Sequence, residues 1–248
     1  MKKERTPIHG KIPSLGILSL ACILAAAAAG ECVVSYTFDD GLEDQYTIAY
    51  PMFREAGLPA TFFIIGSKVG DPNGFRSKAE KHTPVMTWRM IRDMAANGME
   101  IGSHGWAHAR YQNMDREEIL DDIRKNQKEL KENAGIDCTS FASPYNAKRG
   151  KDGTDILALV KEEGLSGCRP HQKAAGGGMT AEKMNEMVEK AKAKGDWLIF
   201  MTHGMSRGYD AWQNPDELRR HLEWVKGQEG VKVLNFSEAA RISQNRGR

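Results

Sequence analysis

The chain has 248 residues, 40% of them hydrophobic and 27% charged, with a formal net charge of +2 at neutral pH. That length and apolar content suffice for one sizeable core in a single α/β domain, and the charged fraction excludes a membrane-embedded protein. Residues 1–29 hold Lys2, Lys3, Arg5, Lys11 and Glu4; without them the 35 basic and 33 acidic residues become 31 and 32, a net charge of −1. No basic excess then remains to neutralise phosphates, so nucleic acid is excluded as a partner.

In chain order, the basic lead runs into an apolar stretch of about 18 residues that ends in five alanines, Ala25 to Ala29. This pattern predicts a signal peptide over residues 1–29, cleaved near Ala29, and a mature domain over residues 30–248 that is secreted or periplasmic and has no membrane span. An uncleaved anchor is the alternative, because the stretch reaches the lower limit of a bilayer span. A strand begins directly after Gly30, however, and leaves no linker. Cys22, after Ser19-Leu20-Ala21, is a weak lipidation signal. Export makes a Cys138–Cys168 bridge chemically possible, but Cys32, Cys138 and Cys168 each fall in or beside a predicted strand, where a thiol behaves as a small apolar side chain.

Short apolar runs then alternate with amphipathic segments. Strands are predicted at residues 32–38, 61–65, 100–103, 138–142, 165–169, 197–201 and 231–234. Asp115 with Glu118 predicts a capping box. Asn214-Pro215-Asp216-Glu217 combines a cap residue, a first-turn proline and acids at the positive end of a helix. Gly98, Gly164 and Gly195 follow helical stretches as left-handed terminators. Met179, Met184 and Met187 read as a helix face, and the glycine-rich segment 172–179 as a mobile loop. Strand–helix alternation repeated about seven times implies a parallel sheet wrapped by helices, open or closed into a barrel, with functional groups at the carboxyl ends of the strands.

Four strands end in polar residues: Asp39-Asp40-Gly41, His104-Gly105-Trp106-Ala107-His108, Pro144-Tyr145-Asn146 and Thr202-His203-Gly204. His104 and His108 are spaced so that both rings can reach one side of a turn. Two imidazoles and one carboxylate suit a divalent ion that keeps positions open. Adjacent carboxylates raise each other's pKa unless a cation compensates; one of the two aspartates can bind that cation while the other serves as general base. Taken alone, Asp39-Asp40-Gly41 would read as a turn. His203 can protonate a departing amine or alcohol. His82, His171 and His221 show no partners and are expected at the surface, and His9 lies in the leader.

Thr37-Phe38-Asp39-Asp40-Gly41, Ser103 through His108, Phe141 through Asn146 and Met201-Thr202-His203 resemble, in order, motifs of the polysaccharide deacetylase (NodB-homology) family of carbohydrate esterases. The resemblance runs from Cys32 to about Ile242. It implies a distorted (β/α) barrel of about seven parallel strands, and an acetylated carbohydrate as substrate. It also implies zinc, or cobalt, nickel or manganese in its place, held by Asp40, His104 and His108. Asp39 would be the base, His203 the acid, and the Tyr145 backbone N–H an oxyanion donor. Met201 stands where the family has a leucine lining the acetyl-methyl pocket. Trp106 and Trp212 are candidates for stacking on sugar rings, with packing as the alternative. Ala142 replaces the arginine that usually pairs with the base, and Arg169 is expected to supply that charge. Gly105 replaces a serine or threonine, at the expected loss of a loop hydrogen bond. The aspartate and tryptophan of the family's fourth motif are not evident, so the partner orienting His203 is unassigned. Hydrolysis of N-acetyl groups is the first reading. O-acetyl (xylan-type) ester hydrolysis at the same site and a non-catalytic carbohydrate-binding protein are the alternatives. A serine hydrolase lacks its Gly-x-Ser-x-Gly elbow here.

Overall fold

In a computed structural model, described over residues 31–74, 83–170, 172–207 and 210–246, the centre of the fold is β1 (Cys32–Phe38), buried at every position. The predicted leader, His82 and His171 lie outside the described residues. β1 pairs in parallel with β2 (Thr61–Ile64), which pairs with β3 (Glu100–Ser103). On its other edge β1 pairs along nearly its whole length with β5 (Trp197–Thr202), and β5 takes the two-residue β4 (Lys173–Ala174). β6 (Val231–Val233) pairs with the first half of β1, below the place where β2 pairs with the second half.

The expected strands at 138–142 and 165–169 each reduce to a single bridge, Ser103 to Phe141 and Phe141 to Cys168. Backbone bonds still carry the sheet direction onward: Ser103 N–H to Ser140, Ala142 N–H to Ser103, and Arg169 N–H to Phe141 at 2.9 Å. The chain leaving Cys168 on this edge re-enters the sheet at Lys173 on the opposite edge, so strand segments curve most of the way round a barrel. All named strand pairs are parallel, as the alternation required.

Seven helices surround the sheet: α1 (Tyr50–Ala56), α2 (Trp88–Ala96), α3 (Arg116–Ala134), α4 (Ile156–Glu162), α5 (Ala181–Lys194), α6 (Asp216–Lys226) and α7 (Phe236–Arg246) among the described residues. The Asp115–Glu118 capping box opens α3 with both reciprocal bonds. Asn214 Oδ1 accepts the Asp216 N–H at the start of α6. Gly98, Gly164 and Gly195 all hold positive φ, the conformation in which a side chain is disfavoured. Val34, Tyr36, Phe38, Phe62, Leu198 and Phe200 pack outward under the helices. Phe63, Ala142, Ile199 and Phe236 fill the inner side, as the two-residue strand period demands.

Two differences stand out, and the cysteines follow expectation. His221 is fully buried rather than at the surface, between Tyr36 Oη and Asn185 Oδ1 at 2.6 Å each; its helix spacing places it on the inward face of α6 with Leu218, Leu222 and Val225. Segment 172–179 carries β4 and is tied down by bonds from Gly177 N–H to the carbonyls of Asp210 and Ala211, and from Gln213 N–H to Gly177. Cys32, Cys138 and Cys168 are free thiols.

Candidate active site at the carboxyl ends of the strands

β1 ends in Asp39 and Asp40, 3% and 8% exposed. Asp40 has φ +75° and Gly41 φ +72°, so the chain reverses sharply and turns the two carboxylates in different directions. His104 follows β3, and His108 sits at φ +52° on the loop beyond it. Non-glycine residues in the left-handed region carry local strain that the surrounding structure must over-determine, a feature that clusters at functional sites. The fastening here is Asp122 of α3, whose carboxylate accepts from Trp106 N–H, Ala107 N–H and Tyr111 Oη at 2.7 to 2.9 Å. Gly105 is required beside it, since a Cβ there would stand 2.6 Å from Asp122 Oδ2. The expected loop bond of a serine or threonine is thus replaced by a buried carboxylate from another element.

Asp40, His104 and His108 bring one ligand atom each to within 4.8 Å of the others. Both Nε2 atoms lie 3.5 Å from Asp40 Oδ1. His104 Nδ1 is 2.6 Å from the Ala142 carbonyl; a carbonyl only accepts, so Nδ1 carries the proton and the Nε2 lone pair is left for a ligand. Asp40 Oδ1 is buried without a hydrogen-bond donor, a costly state that a cation among these three side chains relieves. Burial, then His104, pushes the His108 pKa down to about 3, leaving a neutral ring suited to coordination. The donor set fits a divalent ion of the zinc type.

Asp39 faces a different partner. Arg169 donates Nη1 to Oδ1 and Nη2 to Oδ2 at 2.5 Å each, and Nη1 also reaches Thr37 Oγ1 at 3.1 Å. Arg169 stands next to Ala142 on the neighbouring chain segment, so the guanidinium arrives from one strand over. Burial acts to raise the Asp39 pKa, but the charge of Arg169, followed by that of His104, outweighs it and holds the carboxyl well below the usual range. For Asp40, burial prevails over the opposing pull of His104 and His203 and the pKa rises.

His203, at the end of β5, has its Nδ1 2.7 Å from Asp210 Oδ2. Burial favours the neutral ring, yet the Asp210 bond and the charges of Asp39, Asp210 and Asp40 together raise its pKa. Asp210 is the orienting partner that sequence reading left unassigned. Gly176, at φ +133°, lets it approach, because a Cβ there would lie 2.2 Å from the Asp210 carbonyl. Asp44 fastens the same loop, its Oδ2 accepting from the N–H groups of Met205, Ser206 and Arg207. Gln45, fully buried in a single π-helical turn (Gln45–Ala49), donates Nε2 to the carbonyls of both Asp39 and His203 at 2.5 and 2.6 Å.

Tyr145 takes φ +55° within the 3₁₀ turn Pro144–Asn146, with its ring 4.7 Å from that of His108 and under the Arg110 guanidinium at 4.1 Å. No acceptor for its backbone N–H is found among the described residues. Met201 is half-buried opposite Thr37. Trp106 is half-buried with Lys125 Nζ 3.1 Å over its ring centre. Trp212, by contrast, is 4% exposed within the core; its ring packs there, which corrects the expectation of a sugar-stacking platform.

The sequence profile of the polysaccharide deacetylase family matches residues 26–166, and the chain belongs to that family. The peptidoglycan-N-acetylglucosamine deacetylase PgdA of Listeria monocytogenes is 26% identical over 115 residues, 46% of this chain and 22% of PgdA. Among solved structures, a Mycobacterium smegmatis protein provisionally described as a polysaccharide deacetylase superposes with a TM-score of 0.68 at 15% identity, covering 89% of this chain and 93% of that one. A family 4 acetyl xylan esterase from Clostridium thermocellum, in complex with a cobalt ion, gives 0.55 at 20% identity, covering 86% and 92%. At these identities the structural likeness is one of fold. The curated relatives it matches first are much longer, and the matched stretches span 24% and 22% of their length.

Proposed function

We propose that this chain hydrolyses N-acetyl groups on a carbohydrate, with a divalent metal ion, zinc by its donor set, held by Asp40, His104 and His108. The convergence of those three ligand atoms around the donor-less Asp40 Oδ1 carries the reading. When bound, such an ion supplies Lewis acidity that polarises the acetyl carbonyl and makes water more acidic.

The chain's own groups divide the proton traffic. Asp39, kept ionised by Arg169, takes the proton from the attacking water. The Tyr145 N–H, without an acceptor among the described residues, donates to the carbonyl oxygen as negative charge develops on it, a bond strongest at the transition state. His203, its pKa raised by Asp210, hands its proton to the departing amine. Amine nitrogen is a poor leaving group unless protonated, so a His–Asp pair with a raised pKa suits an amide better than an ester, whose alkoxide needs less help.

The substrate class follows the family and the N-acetylglucosamine deacetylase relative; a xylan-type O-acetyl ester is the competing substrate, raised by the acetyl xylan esterase neighbour. Residues 1–29 are proposed as a cleaved signal peptide that delivers a single catalytic domain, residues 30–248, outside the cytoplasm. No helix among the described residues is long and apolar enough to cross a membrane.

Acetate release from N-acetylated and O-acetylated oligosaccharides, before and after chelation and metal return, tests the activity. Chelator-sensitive release from the N-acetyl substrate is expected. Release that survives full metal removal, or from the O-acetyl substrate alone, would overturn it. N-terminal sequencing of the exported protein tests the leader, with a new terminus at or near Gly30 expected.

A further inference from the structure

The loop that carries His104 and His108 is held by one face of α3. Asp122 and Asn126, one turn apart, are 7% and 0% exposed in a helix whose other inward residues include Ile119, Ile123 and Leu130. Asn126 Nδ2 donates to the Ile64 carbonyl and to Ser103 Oγ at 2.8 Å each, at the ends of β2 and β3. Asp122 grips the loop itself. Its Oδ2 accepts from Trp106 N–H and its Oδ1 from Ala107 N–H, both at 2.9 Å, and Tyr111 Oη closes on Oδ2 at 2.7 Å. Trp106 and Ala107 lie between the two histidines. The carbonyl of Trp106 is fixed as well, by Ser67 N–H at 3.0 Å. A buried carboxylate is costly unless donors surround it, and all three donors here come from the histidine loop and the turn that follows it.

The two histidines depend on this grip unequally. His104 is placed by the sheet: its N–H bonds the Ile64 carbonyl at 2.9 Å, and its Nδ1 lies 2.6 Å from the Ala142 carbonyl. His108 stands four residues on, beyond the strand and at φ +52°, where the backbone path through Trp106 and Ala107 decides its position. Gly105, at φ +74°, leaves room for the grip, since a Cβ there would lie 2.6 Å from Asp122 Oδ2 and 2.9 Å from Tyr111 Oη. We propose that Asp122 is a positioning residue for the metal centre: by fixing the two N–H groups between the histidines, it sets where His108 stands relative to His104 and Asp40, and so governs affinity for the ion. Groups that orient metal ligands in this way commonly change affinity 10–100-fold. The inference rests on the proposed metal site and deepens it, assigning control of the ion to a helix that supplies no ligand.

The test measures the zinc dissociation constant by competition with a chromophoric chelator, and the melting temperature with and without zinc. Wild type, Asp122→Asn, Tyr111→Phe and Asp121→Asn are compared. Asp122→Asn keeps the volume but turns one oxygen into an amide group that cannot accept. Its zinc affinity should fall about 10–100-fold, and the rise in melting temperature produced by zinc should shrink. Acetate release lost at the wild-type zinc level should return as free zinc is raised. Tyr111→Phe removes one of the three bonds and leaves both backbone contacts, so it should weaken zinc binding by less; it serves as the deciding variant if Asp122→Asn does not fold. Asp121→Asn, the same exchange at the exposed neighbour, should match the wild type. Zinc affinity unchanged in Asp122→Asn, or in Tyr111→Phe where only that variant folds, would make Asp122 a structural residue and overturn the proposal while leaving the metal-dependent reading intact. A wild type that binds no zinc would overturn both.

Discussion

Arg169 grips both oxygens of Asp39 from 130 residues further along the chain, with a side chain 2% exposed against one 4% exposed. Removing one member of a buried ion pair strands the other, at a cost of about 3–5 kcal/mol. In Arg169→Ala the Asp39 pKa rises, because burial is then unopposed by its main counter-charge. As the proposed base, Asp39 must be ionised to act, so the acid limb of the pH–rate profile should move to higher pH, with kcat lowered roughly 100-fold or more. Unchanged kcat and profile would show that Arg169 serves packing alone.

The His203–Asp210 pair makes the opposite prediction. Asp210 helps raise the His203 pKa, and in the proposed mechanism the acid form is the active one, so activity should be lost as pH rises through that value. Asp210→Asn should shift the alkaline limb down by roughly one pH unit or more, the effect of losing one adjacent charge. A limb that stays in place would assign the proton donor elsewhere.

For the proposed metal centre, His104→Ala and Asp40→Asn should each abolish stoichiometric metal binding, read by elemental analysis of the purified protein. The wild type should also gain thermal stability from the ion, about 2.7 kcal/mol at a free concentration near 100 times Kd. A melting temperature indifferent to chelation would contradict a resident ion.

Gln45 bridges the carbonyls of Asp39 and His203, after β1 and β5, and so ties the proposed base to the proposed acid. Gln45→Leu keeps the volume and removes both bonds, leaving two buried acceptors short of a donor. The expected result is a stability loss of about 1–3 kcal/mol and a fall in kcat with KM nearly unchanged. A pure KM effect would place its role in substrate binding.

Buried His221, with its pKa pushed down to about 3 by burial, makes the fold acid-labile. The unfolded chain takes up a proton near pH 6.5 while the native ring refuses it. The stability it contributes is therefore present above about 6.5 and lost as pH falls toward 3, at about 1.4 kcal/mol per pH unit. In His221→Gln the slope of melting temperature against pH over that window should flatten. An unchanged slope would show that other groups govern acid unfolding.

Much of this was legible in one dimension. Strand β1, the Asp115 capping box and the left-handed glycines announce themselves through local chemistry, because apolar runs, caps and positive φ depend on near neighbours. Asp39-Asp40, His104 and His203 were readable because they directly follow apolar strands, and His108 because it lies four residues beyond His104. The placement of Arg169 beside Asp39 was inferred from a missing charge at Ala142, and the geometry supplies it. The strands at 138–142 and 165–169 read as longer than they are, since apolar composition signals burial and not the number of ladder bonds. His221 and Trp212 were misplaced because nothing in their immediate sequence reveals which way a helix or loop faces.

By itself, the sequence determined most of the strands and helices, the parallel direction of the strands and which side chains end them, since these follow from local periodicity and the need for crossover connections. Only the tertiary structure decided who meets whom: Asp210 with His203 across the glycine cradle, Asp122 beneath the histidine loop, Gln45 between base and acid. Those contacts come from side chains on separate elements sharing a few ångströms of buried space. Their selection depends on packing and unpaired polar groups, which no local pattern encodes.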